Sequence, residues 1–115
     1  MIADIVKKRI TNKIYFKSEK ARRFLILCGF VYTLRARRRP EGLARLHNGI
    51  QLLDIIVKVR FIKKVSWSEA KKELKDFVPY SGFKSISEWL NEVIRLNHDI
   101  PRFLYLYRVD VVREK

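Results

Sequence analysis

Residues 50–65 constrain the fold of this chain most strongly, because apolar and polar side chains alternate along the segment. The apolar positions are Ile55, Val57, Val59 and Phe61, and the polar positions between or beside them are Asp54, Lys58 and Arg60. A period of two is typical of a strand that buries one face. Since the segment is longer than an ordinary strand, we expect a bend or bulge within residues 51–54 or at Ile62.

Three shorter runs rich in β-branched and aromatic residues predict three more strands. These runs are residues 12–17, 30–36 and 102–112. In the last run, one alternating face carries Phe103, Tyr105, Tyr107, Val109 and Val111. Residues 41–49 contain two glycines and the turn signal His47-Asn-Gly49. We therefore predict that residues 41–49 form mainly a loop.

Three helices are predicted from serines that precede apolar residues at helical spacing. The start signals are Ser18 before Glu19 and the capping boxes Ser66-Trp-Ser-Glu69 and Ser85-Ile-Ser-Glu88. Gly29 is placed to end the first helix in a left-handed conformation, and Asn97 to end the last one. Cys28 falls at helical spacing in the first helix, so we expect a small buried side chain there.

The order of these elements predicts the fold class. Strand, helix, strand, long strand, helix, helix and strand do not alternate as parallel crossovers require. A mixed or antiparallel sheet that curls around one core, with two or three flanking α-helices, fits better. We therefore predict an α+β fold and a single domain over residues 1–115, a length that supports a core without a disulfide or structural metal.

The charge of the chain predicts a polyanionic partner. Lys and Arg number 26 against 12 Asp and Glu, which gives a net charge of +14, although 48% of the residues are hydrophobic. A folded protein that keeps such an imbalance commonly binds nucleic acid. Arginine forks match phosphate geometry, so the segment from Arg35 to Arg39 is the first candidate contact. The basic clusters are Lys7 to Arg9, Lys20 with Arg22 and Arg23, Arg35 with Arg37 to Arg39, Lys58 to Lys64, and Lys71, Lys72 and Lys75.

Other classes of function have weak support in the sequence. His47 and His98 have no Cys or His partner at ligand spacing, so no metal or other cofactor is expected. No glycine-rich phosphate loop is present. The longest apolar run is too short to span a membrane, and the N-terminal charges follow an apolar stretch, the reverse of a secretory signal. A lone cysteine fits a reducing compartment, so we expect a soluble, cytoplasmic protein, and the composition hints at a thermophilic source.

Several short motifs give the chain a resemblance to the ASCH domain, a small β-barrel superfamily similar to the PUA domains of RNA-modification enzymes. The first half matches through a helix that ends in Gly29, Thr33-Leu-Arg35, a basic loop and a long strand with Asp54. The second half matches through Gly82-Phe-Lys-Ser-Ile-Ser-Glu-Trp-Leu90 and the strand Phe103-Leu-Tyr-Leu-Tyr-Arg-Val109. The resemblance implies a PUA-like β-barrel with a cleft that Thr33 and Arg35 line.

The resemblance also implies a test for catalysis. Some ASCH proteins are amidohydrolases that remove the acetyl group from acetylated cytidine with a lysine, a threonine and a glutamate. The lysine position is Phe30 here and the glutamate position is Ser81, so the acid and base of that mechanism are missing. The usual Gly-Asp turn before the long strand is also altered, to Leu53-Asp54. These departures favour binding over catalysis.

The leading hypothesis is thus an RNA-binding module in which a basic surface and a cleft contact the ligand. The residues assigned to it are Thr33, Arg35, Arg37, Arg38, Arg39, Lys63 and Lys64. One alternative is a hydrolase or ribonuclease acting on a modified nucleoside or RNA, in which Thr33 or Tyr32 would act with Asp54 or Glu88. A second alternative is a non-specific DNA-binding protein. The sequence makes no prediction of oligomeric state.

Overall fold

Five strands and three α-helices organise residues 10–112, the part of the chain that the computed structural model describes. The strands are β1 (Lys13–Tyr15), β2 (Phe30–Arg35), β3 (Gly42–His47), β4 (Leu52–Ser66) and β5 (Phe103–Val111). The α-helices are α1 (Glu19–Cys28), α2 (Ala70–Glu73) and α3 (Ile86–Asn97), and two 3₁₀ helices span Trp67–Glu69 and Lys75–Tyr80. The N-terminal expectations, including the basic cluster from Lys7 to Arg9, lie outside the described residues.

The strands form one curled, mixed sheet in the order β1-β3-β4-β5-β2. The β1–β3 pairing is parallel and the other three pairings are antiparallel. β1 and β2 are the two edge strands, and the Arg35 guanidinium on β2 donates a hydrogen bond to the Tyr15 carbonyl on β1. The sheet is therefore a half-barrel whose edges approach each other, and the predicted α+β class with a curled sheet is confirmed.

The long strand β4 is bent by an irregularity in its pairing with β5. The register shifts between Phe61 and Lys63, which places the predicted bulge at Ile62. A second shift lies near the start of β4: Arg45 and His47 on β3 pair with Ile56 and Leu52, so the extra residues are on β4 and overlap the other predicted position, residues 51–54. Such irregularities increase the local twist and bend of a strand, so one 15-residue strand can pair with both β3 and β5 of a curled sheet.

Residues 41–49 are not mainly a loop, and that prediction was wrong. Gly42–His47 form β3, which pairs with β1 on one side and β4 on the other. Gly42 and Gly49, with φ values of 102° and 97°, flank the strand rather than interrupt it. The glycines had marked the two ends of a strand whose partners are distant in sequence.

The core lies between the sheet and the helices. Fully buried side chains come from α1, from every one of the strands β2 to β5 and from the segment after β4. They include Leu25, Val31, Leu46, Val57, Leu74, Leu106 and Val109. Packing of these residues positions the edge strands β1 and β2 relative to α1 and α3. The core therefore determines how closely β1 and β2 approach each other.

Two of the three predicted helix starts are confirmed. Ser18 accepts a hydrogen bond from the Ala21 amide, and Ser85 accepts one from the Glu88 amide. The capping box at Ser66 was wrong, because Ser66 is the last residue of β4, pairs with Phe103 and makes no side-chain cap. A 3₁₀ turn, the short helix α2 and a second 3₁₀ helix follow in place of one longer helix.

The predicted left-handed glycine at the end of α1 is confirmed, but the burial of Cys28 is not. Gly29 has φ 85°, and its amide donates to the Leu25 carbonyl. Cys28 is exposed. α1 buries Ala21 and Leu25, and its last turn lies on the surface, where the chain reverses at Gly29 into β2.

Asn97 is the last residue of α3, as predicted, and the left-handed cap after it is His98. His98 has φ 60° and is the only non-glycine residue with a positive φ among residues 10–112. Its amide donates to the Ile94 carbonyl, as a left-handed helix cap requires. An L side chain in this conformation costs free energy that glycine avoids.

Replacing His98 by glycine is therefore expected to stabilise the fold. Because the left-handed conformation costs a non-glycine residue about 1 kcal/mol, the gain in the free energy of unfolding should be about 0.5–1 kcal/mol. Urea denaturation of the variant beside the natural chain measures it. His98→Ala is the control, since it removes the imidazole and keeps the strained backbone; an equal gain from alanine would contradict this explanation.

Candidate nucleic-acid interface

A cleft of about 540 Å³ opens where the edge strands β1 and β2 approach each other. We call it the seam cleft. Its walls come from both edge strands, from the loop after β2, from the start of α1 and from α3. The residues used below are Lys13, Lys17, Thr33, Arg35, Arg37 and Arg39 on the strand and loop side, and Trp89 and Glu92 on α3.

Thr33 and Arg35 both line the seam cleft, as their spacing on a strand predicts. In the sheet, Thr33 is opposite Tyr107 and Arg35 is opposite Tyr105, so both point to the same face of β2. Thr33 is buried. The Arg35 guanidinium lies 4.6 Å from the centre of the Phe16 ring and donates from Nη1 to the Tyr15 carbonyl. These contacts hold the arginine at the joint between the two edge strands.

No ion pair or hydrogen bond joins Arg35 to a carboxylate within residues 10–112. Its Nε atom is buried and has no hydrogen-bond partner. Burial, with a smaller contribution from the nearby positive charge of Arg39, lowers the pKa of Arg35 to about 10. The side chain is still a cation at neutral pH, but its charge is poorly solvated. A buried cation with a free donor is a receptor for an anion.

The basic loop after β2 is held in place rather than solvated along its length. The hydroxyl of Tyr107, which is fully buried, accepts a hydrogen bond from the Arg39 amide at 2.6 Å and donates to the Arg39 carbonyl at 3.2 Å. Arg37 and Arg39 line the seam cleft, and both are exposed. An anchored backbone lets exposed guanidinium groups contact a ligand with less loss of entropy.

The remaining predicted contact residues do not line the seam cleft. The Arg38 guanidinium lies 4.8 Å from the centre of the Phe61 ring. Lys63 lies over Phe77 and donates to the Glu73 carbonyl, whereas Lys64 lies 4.1 Å from the centre of the Phe103 ring. Since Lys63 is opposite Leu106 and Lys64 is opposite Tyr105, the two lysines point to opposite faces of β4.

The charge balance of the seam cleft is strongly positive. Its wall carries five basic side chains, at Lys13, Lys17, Arg35, Arg37 and Arg39, and one carboxylate, at Glu92. Glu92 accepts a hydrogen bond from Arg95, which holds the pKa of this carboxyl below its ordinary value. The carboxylate is therefore ionised at neutral pH and already paired, so it is a poor proton acceptor for catalysis.

The residues considered for a hydrolase do not gather around Thr33. Phe30, Ser81, Asp54 and Glu88 are all outside the wall of the seam cleft. Ser81 donates to the Val78 carbonyl and accepts from the Phe83 amide, so its hydroxyl stabilises a turn. Glu88 pairs with Lys20 at 2.6 Å and links α1 to α3. The cleft thus offers cations for binding and no nucleophile beside an unpaired base.

The sequence analysis missed the contribution of α3 and of the lysines beside β1. Trp89, Glu92 and Leu96 lie at helical spacing on one side of α3, and this spacing was the signal that they share a surface. Lys13 and Lys17 flank the buried residues Ile14 and Phe16, and alternation placed them outside the core. Their meeting with Arg35 depends on the closure of the half-barrel.

Comparison of the chain with protein-family models, curated proteins and solved structures finds no match. Within residues 10–112, no group of three or more His, Cys, Asp or Glu side chains could hold a metal ion. No helix in the same part of the chain has the length and apolar character needed to cross a membrane. The case for a function therefore depends on the geometry and charge of the seam cleft.

Proposed function

We propose that this chain is an RNA-binding module. RNA phosphates contact the basic loop at Arg37 and Arg39, and a phosphate or a base edge enters the seam cleft beside Thr33 and Arg35. The observation that carries the proposal is the buried Nε donor of Arg35, which has no partner in a cleft with five basic side chains and one paired carboxylate. An anionic ligand would satisfy this donor and offset the cost of burying the charge.

RNA is favoured over duplex DNA by the shape of the basic surface. The longest helix, α3, packs Trp89, Leu90 and Val93 in the core and carries Glu88, Glu92 and a single basic residue, Arg95, so it lacks the basic face of a recognition helix. A cleft beside aromatic and arginine side chains suits single-stranded or looped RNA, whose unstacked bases can enter it. The proposal includes a PUA-like, ASCH-type architecture, for which the half-barrel and the cleft beside Thr33 and Arg35 are the support.

Substituting Arg37, Arg38 and Arg39 together by alanine is expected to weaken binding to single-stranded RNA by about tenfold at physiological salt. Each phosphate contact that is lost should also reduce the slope of log affinity against log salt by about 0.7. Fluorescence anisotropy with a labelled single-stranded RNA at several salt concentrations measures both quantities. Duplex RNA and duplex DNA of the same length are titrated beside it and are expected to bind more weakly.

The matched control substitutes Lys71, Lys72 and Lys75, three exposed lysines away from the seam cleft, by alanine. This variant removes the same charge, so it should lose no more than about threefold in affinity if position matters. Equal losses of RNA affinity in the two triple variants would mean that binding depends on the total charge of the protein and not on the position of the charges. An unchanged affinity and salt slope in the arginine variant would refute the proposed site.

A further inference from the structure

The outer face of the sheet carries a second basic surface, which shares only Lys13, at its border, with the seam cleft. Along β4, Val57 and Val59 are buried in the core, whereas Lys58 and Arg60 between and beside them are exposed. Lys58 is opposite Asp110 on β5, and Arg60 is opposite Arg108. Residues opposite each other in a sheet point to the same side, so these side chains lie together on the side of β4 opposite to Val57 and Val59.

The surface continues across β3 to β1. Lys13 is opposite Arg45, and Leu43, two residues before Arg45, is opposite Lys58. We call Lys13, Arg45, Lys58, Arg60 and Arg108 the outer basic face; Lys13, at its border on β1, also lines the seam cleft. At the usual spacing of strands the outer basic face extends about 15 Å across the sheet. It includes two pairs of like charges directly opposite each other, Lys13 with Arg45 and Arg60 with Arg108. Such pairs are destabilising in a sheet.

The nearby carboxylates do not remove this imbalance. Asp110 bonds to Arg108, with Oδ1 3.0 Å from Nη2. Glu41, at the border of the face, accepts a hydrogen bond from the Phe61 amide at 3.1 Å. Asp54 shares the alternation of Lys58 and Arg60 at the start of β4 and also has a partner. Five cations on one sheet face against three engaged carboxylates fit an anionic partner.

An aromatic cluster at one edge of this surface indicates which anionic partner it fits. The Arg108 guanidinium lies 4.5 Å from the centre of the Phe30 ring and 5.7 Å from that of Tyr32. Beside them, Tyr80 is 46% exposed, with its ring 5.9 Å from Phe30. Single-stranded nucleic acids bind where a cationic surface for phosphates borders aromatic rings on which bases stack. An acidic protein or an anionic membrane would be attracted by the cations alone, and its binding would not require the aromatic rings.

We propose that the outer basic face is a second contact for single-stranded nucleic acid, with phosphates over Lys58 and Arg60 and a base stacked on Tyr80. The proposal takes its ligand class from the proposed function but places the contact on a different face. β2 separates the two sites, because Thr33 and Arg35 point into the seam cleft and Tyr32 points to the outer face.

The first test is the double variant Lys58→Glu with Arg60→Glu, titrated by fluorescence anisotropy with a labelled single-stranded RNA. We expect affinity to fall at least about tenfold and the salt slope to fall by about 1.4, for two lost phosphate contacts. Arg60→Glu places opposite charges where Arg60 and Arg108 now repel, whereas Lys58→Glu places a second carboxylate opposite Asp110, so the fold of the variant is verified by circular dichroism before the titration. Lys71→Glu with Lys72→Glu is the control of equal charge change. Equal losses in both double variants would overturn the proposal.

The second test isolates the stacked base. Tyr80→Ala is expected to weaken RNA binding at least about fivefold and to leave the binding of inorganic polyphosphate, which has no bases, unchanged. Tyr80→Phe keeps the ring and should keep the affinity for RNA. A parallel loss for RNA and polyphosphate in Tyr80→Ala would mean that the ring only supports the fold of the charged surface, and would overturn the stacking role.

The two proposed sites can fail separately. Loss of RNA binding in the Lys58/Arg60 variant with none in the Arg37/Arg38/Arg39 variant would refute the seam cleft and keep the outer face. The reverse result would refute the outer face. Cosedimentation with phosphatidylserine vesicles covers the membrane alternative. If the Lys58/Arg60 variant lost vesicle binding and kept RNA binding, the surface would be a membrane contact and the present proposal would be wrong.

Discussion

Replacing Gly82 by alanine is expected to lower the free energy of unfolding by more than about 3 kcal/mol. Gly82 has φ 89°, a conformation that an L residue adopts only at a cost. A Cβ atom added there would lie 2.6 Å from the Lys20 carbonyl oxygen and 3.2 Å from the Ala21 Cα. Both atoms belong to the backbone of α1, so no side chain can rotate away. Chemical denaturation of the variant and the natural chain measures the loss.

The control for this prediction is Gly42→Ala. Gly42 also has a positive φ, 102°, but a Cβ added there would meet nothing within 4 Å. Gly42→Ala therefore reports the conformational cost alone, which should be about 1–2 kcal/mol. The difference between the two variants measures the steric clash with α1. If both variants lost the same amount, the close approach of Gly82 to α1 would not hold in solution.

The Gly82→Ala substitution should also change the geometry of the seam cleft. Gly82 lies between Ser81, whose hydroxyl fixes the turn, and Phe83, which is buried in the cleft wall. The Lys20–Glu88 pair joins α1 to α3 close by. Forcing Gly82 away from α1 would shift both Phe83 and α3 relative to β2. RNA binding should therefore weaken even under conditions where the Gly82→Ala protein remains folded.

The sequence was sufficient for the elements whose signals are local. Ser18 and Ser85 were identified as helix caps because their side chains bond to amides three residues away. The bulge at Ile62 was among the predicted positions because residues 50–65 are longer than an ordinary strand. β3 was missed because the pairing partners of Gly42–His47 are β1 and β4, and its two flanking glycines dominated the local pattern. Tertiary pairing, not propensity, makes this segment a strand.

The site was predicted in part for the same reason. Alternation alone places Thr33 and Arg35 on one side of β2, and both line the seam cleft. The pairing of Glu92 with Arg95 in the opposite wall was readable from their i,i+3 spacing on α3. The anchoring of Arg39 by Tyr107 had no sequence signal, because these partners meet only after the sheet curls. The order of the basic clusters along the chain likewise did not separate the seam cleft from the outer basic face.

Replacing Arg35 by methionine is expected to weaken RNA binding by at least about thirtyfold, because loss of a desolvated charge contact costs 2–5 kcal/mol or more. The same change should stabilise the fold. Folding lowers the pKa of Arg35 to about 10, so the buried charge opposes folding by on the order of 3 kcal/mol at neutral pH. Loss of the hydrogen bond to Tyr15 and of the contact with Phe16 offsets part of this gain.

The free energy of unfolding of Arg35→Met should exceed that of the natural chain by about 1–2 kcal/mol at neutral pH, and this difference should decrease at high pH. Because the unfolded chain binds the Arg35 proton more tightly, the stability of the natural chain rises as the pH passes above about 10. The advantage of the methionine variant is therefore complete below pH 10 and shrinks above it.

Denaturation at pH 7 and pH 10.5, with RNA titrations at pH 7, measures the two effects. Arg37→Met, at an exposed position, should show no such gain in stability. If Arg35→Met weakened RNA binding and also lowered the free energy of unfolding, the arginine would be a structural link between β1 and β2. Weaker RNA binding together with a higher free energy of unfolding would identify Arg35 as a ligand-binding residue whose burial opposes folding.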